Sequence, residues 1–556
     1  MRKRITLLFF ALVLVCLSAT NVLAQISATA TLQGTVTDKS GAVIPSADIK
    51  ITNKQTGETR SATTTGSGLY VFNLLPAGIY EVRVAVKGFS TAAFENVELF
   101  VGRTTTIDAQ MSPSAQAETI TVEAAGAALV DTVKTDVSRA VTPSEVENLP
   151  LNGRDFVNLA ILAPGARPVA SYDPTKNRIG VFATNGSSGR NVNITINGID
   201  NKDGTVGGPV MQLPLEAIQE FNISTQRFSA ANGRSEGAAV SVITKSGTND
   251  FHGVIYFFDR DQAFDTLNYF EQSAHGGNDQ KAPFSRQQFG GSIGGPVKKD
   301  KTFLFFALER AREQTSVNAL GAAYSNAQAL KAISLPYGLT VIPQQTISTP
   351  YYDWRYNGRV DHHINEKNTF SASYSNQNNN GLNDQATSTS DGSQTNFTTN
   401  QLIIANASFN SVITPNVVNS ATVGYQYWHN LISASSFLPN ATFPNLSLGT
   451  NPNVPQESVQ RKWQFKDDIA INHGKHSFKT GFDYLWEPQL GGFFVTNPTP
   501  VITFFDDPTT ILTNAAKYPN GLATPGSVQS IIQATTGNPY FEESGKMVGV
   551  YFQDDW

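Results

Sequence analysis

The sequence predicts a mainly β chain: an N-terminal β-sandwich, a middle α+β domain, and part of an antiparallel transmembrane β-barrel. Three observations lead there. Of 556 residues only 15% are charged, while 10% are aromatic, with 34 Phe; soluble proteins carry roughly 25% charged residues. A barrel needs an apolar outer face and aromatic girdles at its rims. The second half of the chain alternates apolar and polar residues with a period of two, which gives a strand two unlike faces. Near the start, short β-branched runs are cut by Gly and Pro turns at sandwich spacing.

The chain opens on Met1-Arg2-Lys3-Arg4, an apolar run from Ile5 to Leu17, and Val22-Leu23-Ala24 before Gln25. This is the pattern of a secretory signal peptide over residues 1–24. The run is shorter than the roughly 20 residues of a spanning helix, and no later segment approaches that length. The mature chain is therefore expected to have no transmembrane helix. The single cysteine, Cys16, lies in this run behind Val15, a poor match to the small residue that lipid-modified signals favour. A mature chain without thiols excludes disulfides, thiolate zinc sites and cysteine nucleophiles, and suits a bacterial envelope protein held by pairing and packing. The net charge of −5 comes without a basic tract, so nucleic acid is not an expected partner.

Residues 28–111 contain Gly34-Thr35-Val36, Asp48-Ile49-Lys50-Ile51, Gly68 to Phe72 and Tyr80 to Val84, separated by Asp38 to Gly41, Thr56-Gly57 and Pro76 to Gly78. A seven-stranded antiparallel sandwich is expected. The pattern Gly34-Thr35-Val36-Thr37-Asp38, Gly41, Pro45, Leu75 to Tyr80 and Gly88-Phe89 resembles the carboxypeptidase-regulatory-like family, with its carbohydrate-binding-like fold. That resemblance implies an accessory sandwich, either a folded spacer or a binding module for a partner or glycan. It implies no zinc chemistry, and Ala28 to Met111 contains no histidine to supply it.

Residues 112–124 begin as a small, polar linker, Ser112 to Ala117. Glu118, Thr119, Ile120, Thr121, Val122, Glu123 and Ala124 follow, an acid and then alternating β-formers, which is what a free strand needs to add itself to another protein's sheet. Any edge strand reads similarly, but this segment resembles a TonB box. Residues 125–248 then resemble the plug domain of TonB-dependent receptors in order and spacing. The matching pieces are Leu149 to Phe156, Leu159 to Pro164, Ile196 to Asp200, Glu216 to Phe221, Gly233-Arg234, Gly237, and Val240 to Lys245. Asn197-Gly198 is a tight-turn signal between β runs, and Gly233 and Gly237 permit close backbone approach.

Residues 251–556 read as amphipathic strands of about 10 residues, the length that a tilted membrane strand needs. Phe478, Thr480, Phe482, Tyr484 and Trp486 alternate against Ser477, Lys479, Gly481 and Asp483. Ala421, Val423, Tyr425 and Tyr427 alternate against Thr422, Gly424 and Gln426; Phe370, Ala372 and Tyr374 against Ser371, Ser373 and Ser375. Tight turns at Lys298 to Lys301, Asn365 to Asn368 and His473 to Lys475 take turns with long loops from Ser316 to Pro350 and Pro488 to Ser544. Short periplasmic turns and long outer loops are the asymmetry of a barrel. A soluble sandwich or solenoid would alternate too, but so many outward aromatics would make it sticky in water. About ten strands are readable, whereas plugged barrels have about 22. Ten strands closing around a plug are not expected, and an open half-barrel is not tolerated in lipid, so the barrel reads as incomplete at Trp556.

Three motifs lead nowhere. Gly233-Arg234-Ser235-Glu236-Gly237 lacks the strand-to-helix setting of a nucleophile elbow. Gly290 to Gly295 lacks a following helix and the Lys-Ser/Thr pair of a phosphate cradle. His362 and His363 are adjacent on a strand and point to opposite faces. No catalytic residue, metal ligand or cofactor is expected, and ligand-binding residues are not readable. The resemblance as a whole, to TonB-dependent receptors of the Oar-like group, implies a non-enzymatic outer-membrane receptor. Such a receptor takes up a scarce ligand, an iron chelate (siderophore uptake), cobalamin or an oligosaccharide. Its implied partners are TonB with the inner-membrane motor, outer-membrane lipid and that ligand. The alternative is an adhesion or assembly protein using the barrel as an anchor; the two differ in whether Ile120 and Val122 matter.

Overall fold

The computed structural model describes residues 29–113, 119–123, 137–169, 179–226, 229–267, 269–275, 279–533 and 538–555. The expected signal peptide, Cys16, Glu118 and Trp556 lie outside them.

The N-terminal sandwich has two sheets. In one, the strand Ala30–Asp38 pairs with Leu69–Leu75, Thr104–Thr106 and Ala109–Met111; the other runs in the order Thr59–Thr63, Asp48–Asn53, Gly78–Ala85, Thr91–Leu99, Thr119–Glu123. Alternate residues face inward, so Leu32, Val36, Ile49, Ile51, Tyr80, Val82 and Val84 form the core. The buried Tyr70 hydroxyl donates to the Ile107 carbonyl at 2.6 Å, which satisfies the one polar atom that ring brings inside. Within the first sheet the chain passes closely at Gly34, where an added Cβ would lie 1.8 Å from the Ile107 oxygen. The expectation of seven antiparallel strands needs correction. Eight strands lie between Ala30 and Met111, and Thr104–Thr106 and Ala109–Met111 pair parallel to the first. After Leu99 the chain crosses from one sheet to the other beside Thr29, where Gly102 N donates to the Thr29 carbonyl at 2.8 Å, and so enters alongside the start of the first strand. Alternation encodes the buried face, not the direction of a crossover.

The middle domain has a sheet in the order Val137–Val141, Ile218–Gln226, Ala239–Thr244, Asn193–Ile196, Ile199–Asp200. Its helix Pro143–Asn148 starts with a capping box: Glu145 N donates to Thr142 Oγ1 at 3.3 Å, and Thr142 N donates to the Glu145 carboxylate at 2.9 Å. Asn197 and Gly198 join two strands with φ of 48° and 82°, the left-handed pair that a two-residue hairpin demands.

Ten antiparallel strands form the third unit, in sequence order: His252–Asp261, Ser285–Lys298, Thr302–Gln314, Tyr351–Asn365, Asn368–Leu382, Asn396–Thr414, Val417–Ala434, Gln456–His473, His476–Phe494 and Tyr540–Asp555. Among the described residues the first and tenth do not pair, so the sheet is open. It curves around the middle domain, because one face touches that domain from the third strand (Phe305 against Ala217) through the fifth (Ser373 to Asn197) to the tenth (Gln553 to Ser229). Strand faces follow the alternation: Thr422 and Gln426 are buried inward, while Val550 and Phe552 lie exposed on the outer face. Strand lengths run from 10 to 19 residues, longer than the expected ten or so. A tilted strand of 9–11 residues already crosses the hydrocarbon, so the longest continue well past it on the long-loop side.

The long connections are also more ordered than the sequence suggests. Pro488 lies inside the ninth strand, at an irregularity in pairing between Glu487 and Leu490. Beyond the strands, segments from different loops build one four-stranded sheet, Leu446–Leu448, Asn440–Phe443, Val501–Phe504, Val528–Ile532, covered by helices Gly321–Lys331 and Pro508–Thr513. Leu330, Phe443, Leu448, Ile502, Phe504 and Ile511 share its core, with Phe443 and Phe504 stacked at 4.4 Å. Thr509 N and Oγ1 both donate to Asn326 Oδ1, at 3.1 and 2.8 Å. Truncating a core Phe costs about 3–5 kcal/mol, so Phe504→Ala should open this outer unit. Limited proteolysis should then cut the segments around residues 320–345 and 500–530 much faster, with the strand fragments left intact.

Candidate functional site

The place where chemistry concentrates is the seat of the middle domain against the inner face of the sheet. Arg154 follows Gly153, and both have positive φ, 54° and 75°, so the loop projects the guanidinium toward the third strand. There Arg154 donates to Glu216 at 2.8 Å and Glu309 at 3.1 Å, and lies 4.2 Å above the Tyr256 ring. Glu309 also accepts from Arg355 at 2.9 Å and Tyr256 Oη at 2.7 Å; Arg355 donates to Asp353 at 2.7 Å. Glu309 and Asp353 are fully buried and Arg355 nearly so. A buried cluster of this kind adds little net stability over apolar packing, but removing one partner strands the others without water. The sequence marked Arg154 and Glu216 only as pieces of a resemblance, and missed Glu309 and Arg355. A signal existed: Phe303, Phe305, Ala307, Glu309, Ala311 and Glu313 are the inward register of one strand, and charge there has to find a partner.

Farther along the sheet the contacts are mostly neutral. Gln460, Gln464 and Gln377 accept from the backbone N–H groups of Gly204, Asp200 and Gln212 at 2.9, 3.0 and 2.9 Å. Lys462 donates to Asp200 at 3.0 Å and Lys466 to the Gly198 carbonyl at 2.8 Å. Asn197 Nδ2 donates to Ser373 Oγ at 2.9 Å, so the predicted turn residues Asn197 and Gly198 lie in this contact. Ile199 fills the space above Gly424, where an added Cβ would be 2.3 Å from it. Gly237 has φ of 93°, and its Cβ would lie 2.7 Å from Thr184 Oγ1, whereas Gly233 faces open space. Arg234 between them spans Asp200 and Asp483, at 3.7 and 3.6 Å. Ser235 accepts from Asn193 N at 3.3 Å and donates to the Ala238 carbonyl, the role of a turn staple. Among the described residues no group of three or more His, Cys, Asp or Glu is arranged to hold a metal.

At the short-turn end the sandwich docks on both other units. Asn73 Nδ2 donates to Asn472 Oδ1 at 2.7 Å, Leu74 packs on Val418 and Ala470, and Asn249 N donates to the Gln55 carbonyl at 2.9 Å. Asn222 Nδ2 donates to the Val101 carbonyl at 3.0 Å, while Val101 N donates to the Glu220 carboxylate. Burial pushes the Glu220 carboxyl up to about 7, against the lowering effect of the Val101 N–H and Arg103. The segment Thr119–Glu123, expected as a free strand, has its backbone paired parallel with Thr91–Glu95 at the edge of the sandwich, Ile120 opposite Ala92 and Val122 opposite Phe94.

Residues 243–334 and 325–556 match the family described as "Outer membrane beta barrel domain". The chain belongs to that family. Residues 31–112 match the carboxypeptidase regulatory-like domain. The TonB-dependent transporter Oar of Myxococcus xanthus is 27% identical over 314 residues, covering 53% of this chain and 28% of that protein. The outer membrane transporter YddB of Escherichia coli superposes with a TM-score of 0.53 at 10% identity, over 75% of this chain and 54% of that one. The siderophore receptor PirA of Acinetobacter baumannii gives 0.48 at 15% identity, over 76% and 55%. The chain thus spans about half the length of the structures it matches, and 28% of Oar. As an outer-membrane β-barrel chain homologous to a TonB-dependent transporter, it is placed in the outer membrane, and its homologue is a transporter rather than an enzyme.

Two outcomes follow for this outer-membrane chain. Glu309→Gln removes the shared charge between Arg154 and Arg355, and breaking a buried pair costs about 3–5 kcal/mol; hydrogen exchange at residues 152–158 should accelerate while the fifth to seventh strands stay protected. Glu220 holds a proton more tightly when docked than free, where a Glu titrates near 4.5. Its contribution to docking is therefore full below that value and is lost as pH rises through about 7. Exchange at Val101 and Gly102 should rise over that window, and Glu220→Gln should flatten the dependence.

Proposed function

We propose that this chain is the sandwich, plug and first barrel strands of a TonB-dependent receptor that takes up a scarce ligand with energy supplied from the periplasmic side. The observation that supports it most is the seat of residues 137–244. That domain is held to the sheet by ion pairs, by many single hydrogen bonds from Gln and Ser side chains, and by one apolar contact where Leu402, Ile404 and Trp428 join its core. Away from that apolar patch a pull on the domain meets small sequential barriers. The strand Thr119–Glu123, shortly before it in sequence, is the handle, with Glu118 to Val122 serving as the TonB box. TonB pairs with it by strand addition, so the handle must first leave Thr91–Glu95. An iron chelate, cobalamin and an oligosaccharide are the ligand classes this reading admits. They would meet the outer loop unit first.

A second reading, surface adhesion or assembly, is favoured by that same outer unit, whose shared core makes it a folded surface rather than loose loops. The two readings separate at the handle. In the full-length receptor, Ile120→Pro or Val122→Pro removes a strand N–H and is expected to abolish ligand uptake while leaving surface attachment unchanged. Thr91→Cys with Thr119→Cys, partners across the parallel pair, should lock the handle to the sandwich under oxidation, stop uptake, and release it again on reduction. Undiminished uptake by the proline variants and by the oxidised pair would sink the transport reading for this segment.

A further inference from the structure

The outer face of the sheet is not uniformly covered by side chains. Between the second and fifth strands it holds an open groove of about 810 Å³, with an almost wholly apolar lining. Register explains its shape. Ile293, Phe306, Gly358 and Tyr374 form one outward row across four strands, and Gly295, Leu304, Val360 and Ala372 form the next row toward the turns. In the first row Gly358 leaves a slot one residue wide between Phe306 and Tyr374; a Cβ there would meet only a Phe306 ring carbon at 4.0 Å. Below the slot, Ala372 and Val360 keep the floor low. The Phe251 ring covers Gly295 at one edge, while Ile293, Leu304, Phe306 and Tyr374 are well exposed and leave the slot at Gly358 open.

The groove opens toward the turn Lys298-Lys299-Asp300-Lys301, where Val297, part of its lining, adjoins Lys298. All three lysines are exposed, and none has an ion-pair partner among the described residues. Asp361 is paired with Arg359 at 2.8 Å, whereas Asp300, which accepts from the neutral Asn249 amide at 2.7 Å, keeps its charge and leaves the turn with three lysines against one carboxylate. This is the short-turn end, hence the periplasmic rim. From Lys298 to Ile293 is about 16 Å along a strand, or about 12 Å of depth at a tilt near 40°. One leaflet of the hydrocarbon is roughly 15 Å deep.

We propose that this groove seats one anionic glycerophospholipid of the periplasm-facing leaflet. One acyl chain lies in the slot over Gly358, and the phosphate is held by Lys298, Lys299 and Lys301. The depth suits one leaflet, the slot suits a single unbranched chain, and the net positive rim suits an anionic headgroup over a zwitterionic one. Lysines near a membrane surface attract anionic lipid by about 1 kcal/mol each, so even partial engagement of three gives roughly tenfold or greater preference for the anionic headgroup.

The test is native mass spectrometry of the full-length receptor ejected from nanodiscs containing both phosphatidylcholine and phosphatidylglycerol. The wild-type receptor should retain one phosphatidylglycerol. Gly358→Leu, which fills the slot without meeting backbone, should lose it at least tenfold. Lys298→Gln with Lys299→Gln and Lys301→Gln should retain a lipid but no longer choose between headgroups, and heat-modifiable gel mobility should show both variants folded. A lipid-free wild-type receptor, equal retention by Gly358→Leu, unchanged headgroup choice in the lysine variant, or a second protein copy in place of lipid would each overturn the assignment.

Discussion

A backbone N–H or carbonyl inside hydrocarbon has no water to bond, so each one must be paired within the protein. The ten-stranded sheet answers that constraint, and much else follows from it. Continuous pairing enforces a two-residue period, the period divides every strand into an outer and an inner set, and only the outer set is committed to lipid. The inner set is free to be polar. That is why Arg355, Asp353, Gln377, Gln426 and Gln460 can lie buried on strands whose other side carries Trp354, Tyr427 and Tyr374.

What the inner face does with this freedom differs along the sheet. Near the third and fourth strands it concentrates charge, with Glu309 shared between Arg154 and Arg355. Such a cluster has a large cost if half-broken and a modest one if kept whole, so it fixes one orientation of the middle domain. Around the seventh and eighth strands it offers the amides of Gln426, Gln460 and Gln464 to backbone groups of residues 200–204, interactions of about 1 kcal/mol net each, beside the buried Lys462–Asp200 pair.

The sandwich adds a second set of contacts at the short-turn end. It touches the sheet through Asn73 and Leu74 and the middle domain through Val101, and it offers its edge strand to Thr119–Glu123. A backbone edge can be paired with one partner at a time. Holding that segment on the sandwich therefore also protects an open edge from unwanted association.

Much of this was legible in the sequence, because the relevant information is local. Period-two alternation placed Thr422, Gly424 and Gln426 on one face and Tyr425 and Tyr427 on the other, and Asn197-Gly198 announced a turn that both residues make with positive φ. Low charge, abundant Phe and the contrast of short with long connections pointed to the barrel. The rest depends on residues far apart in the chain. Arg154 and Glu309 are 155 positions apart, Asn326 and Thr509 are 183 apart, and nothing in the neighbourhood of either residue encodes the other. The parallel entry of Thr104–Thr106, the co-folding of the outer loops, and the pairing of Thr119–Glu123 with the sandwich are of the same kind. A side chain's face is set by its own strand, but its partner is set by how the strands are brought together, and only the tertiary structure decides that.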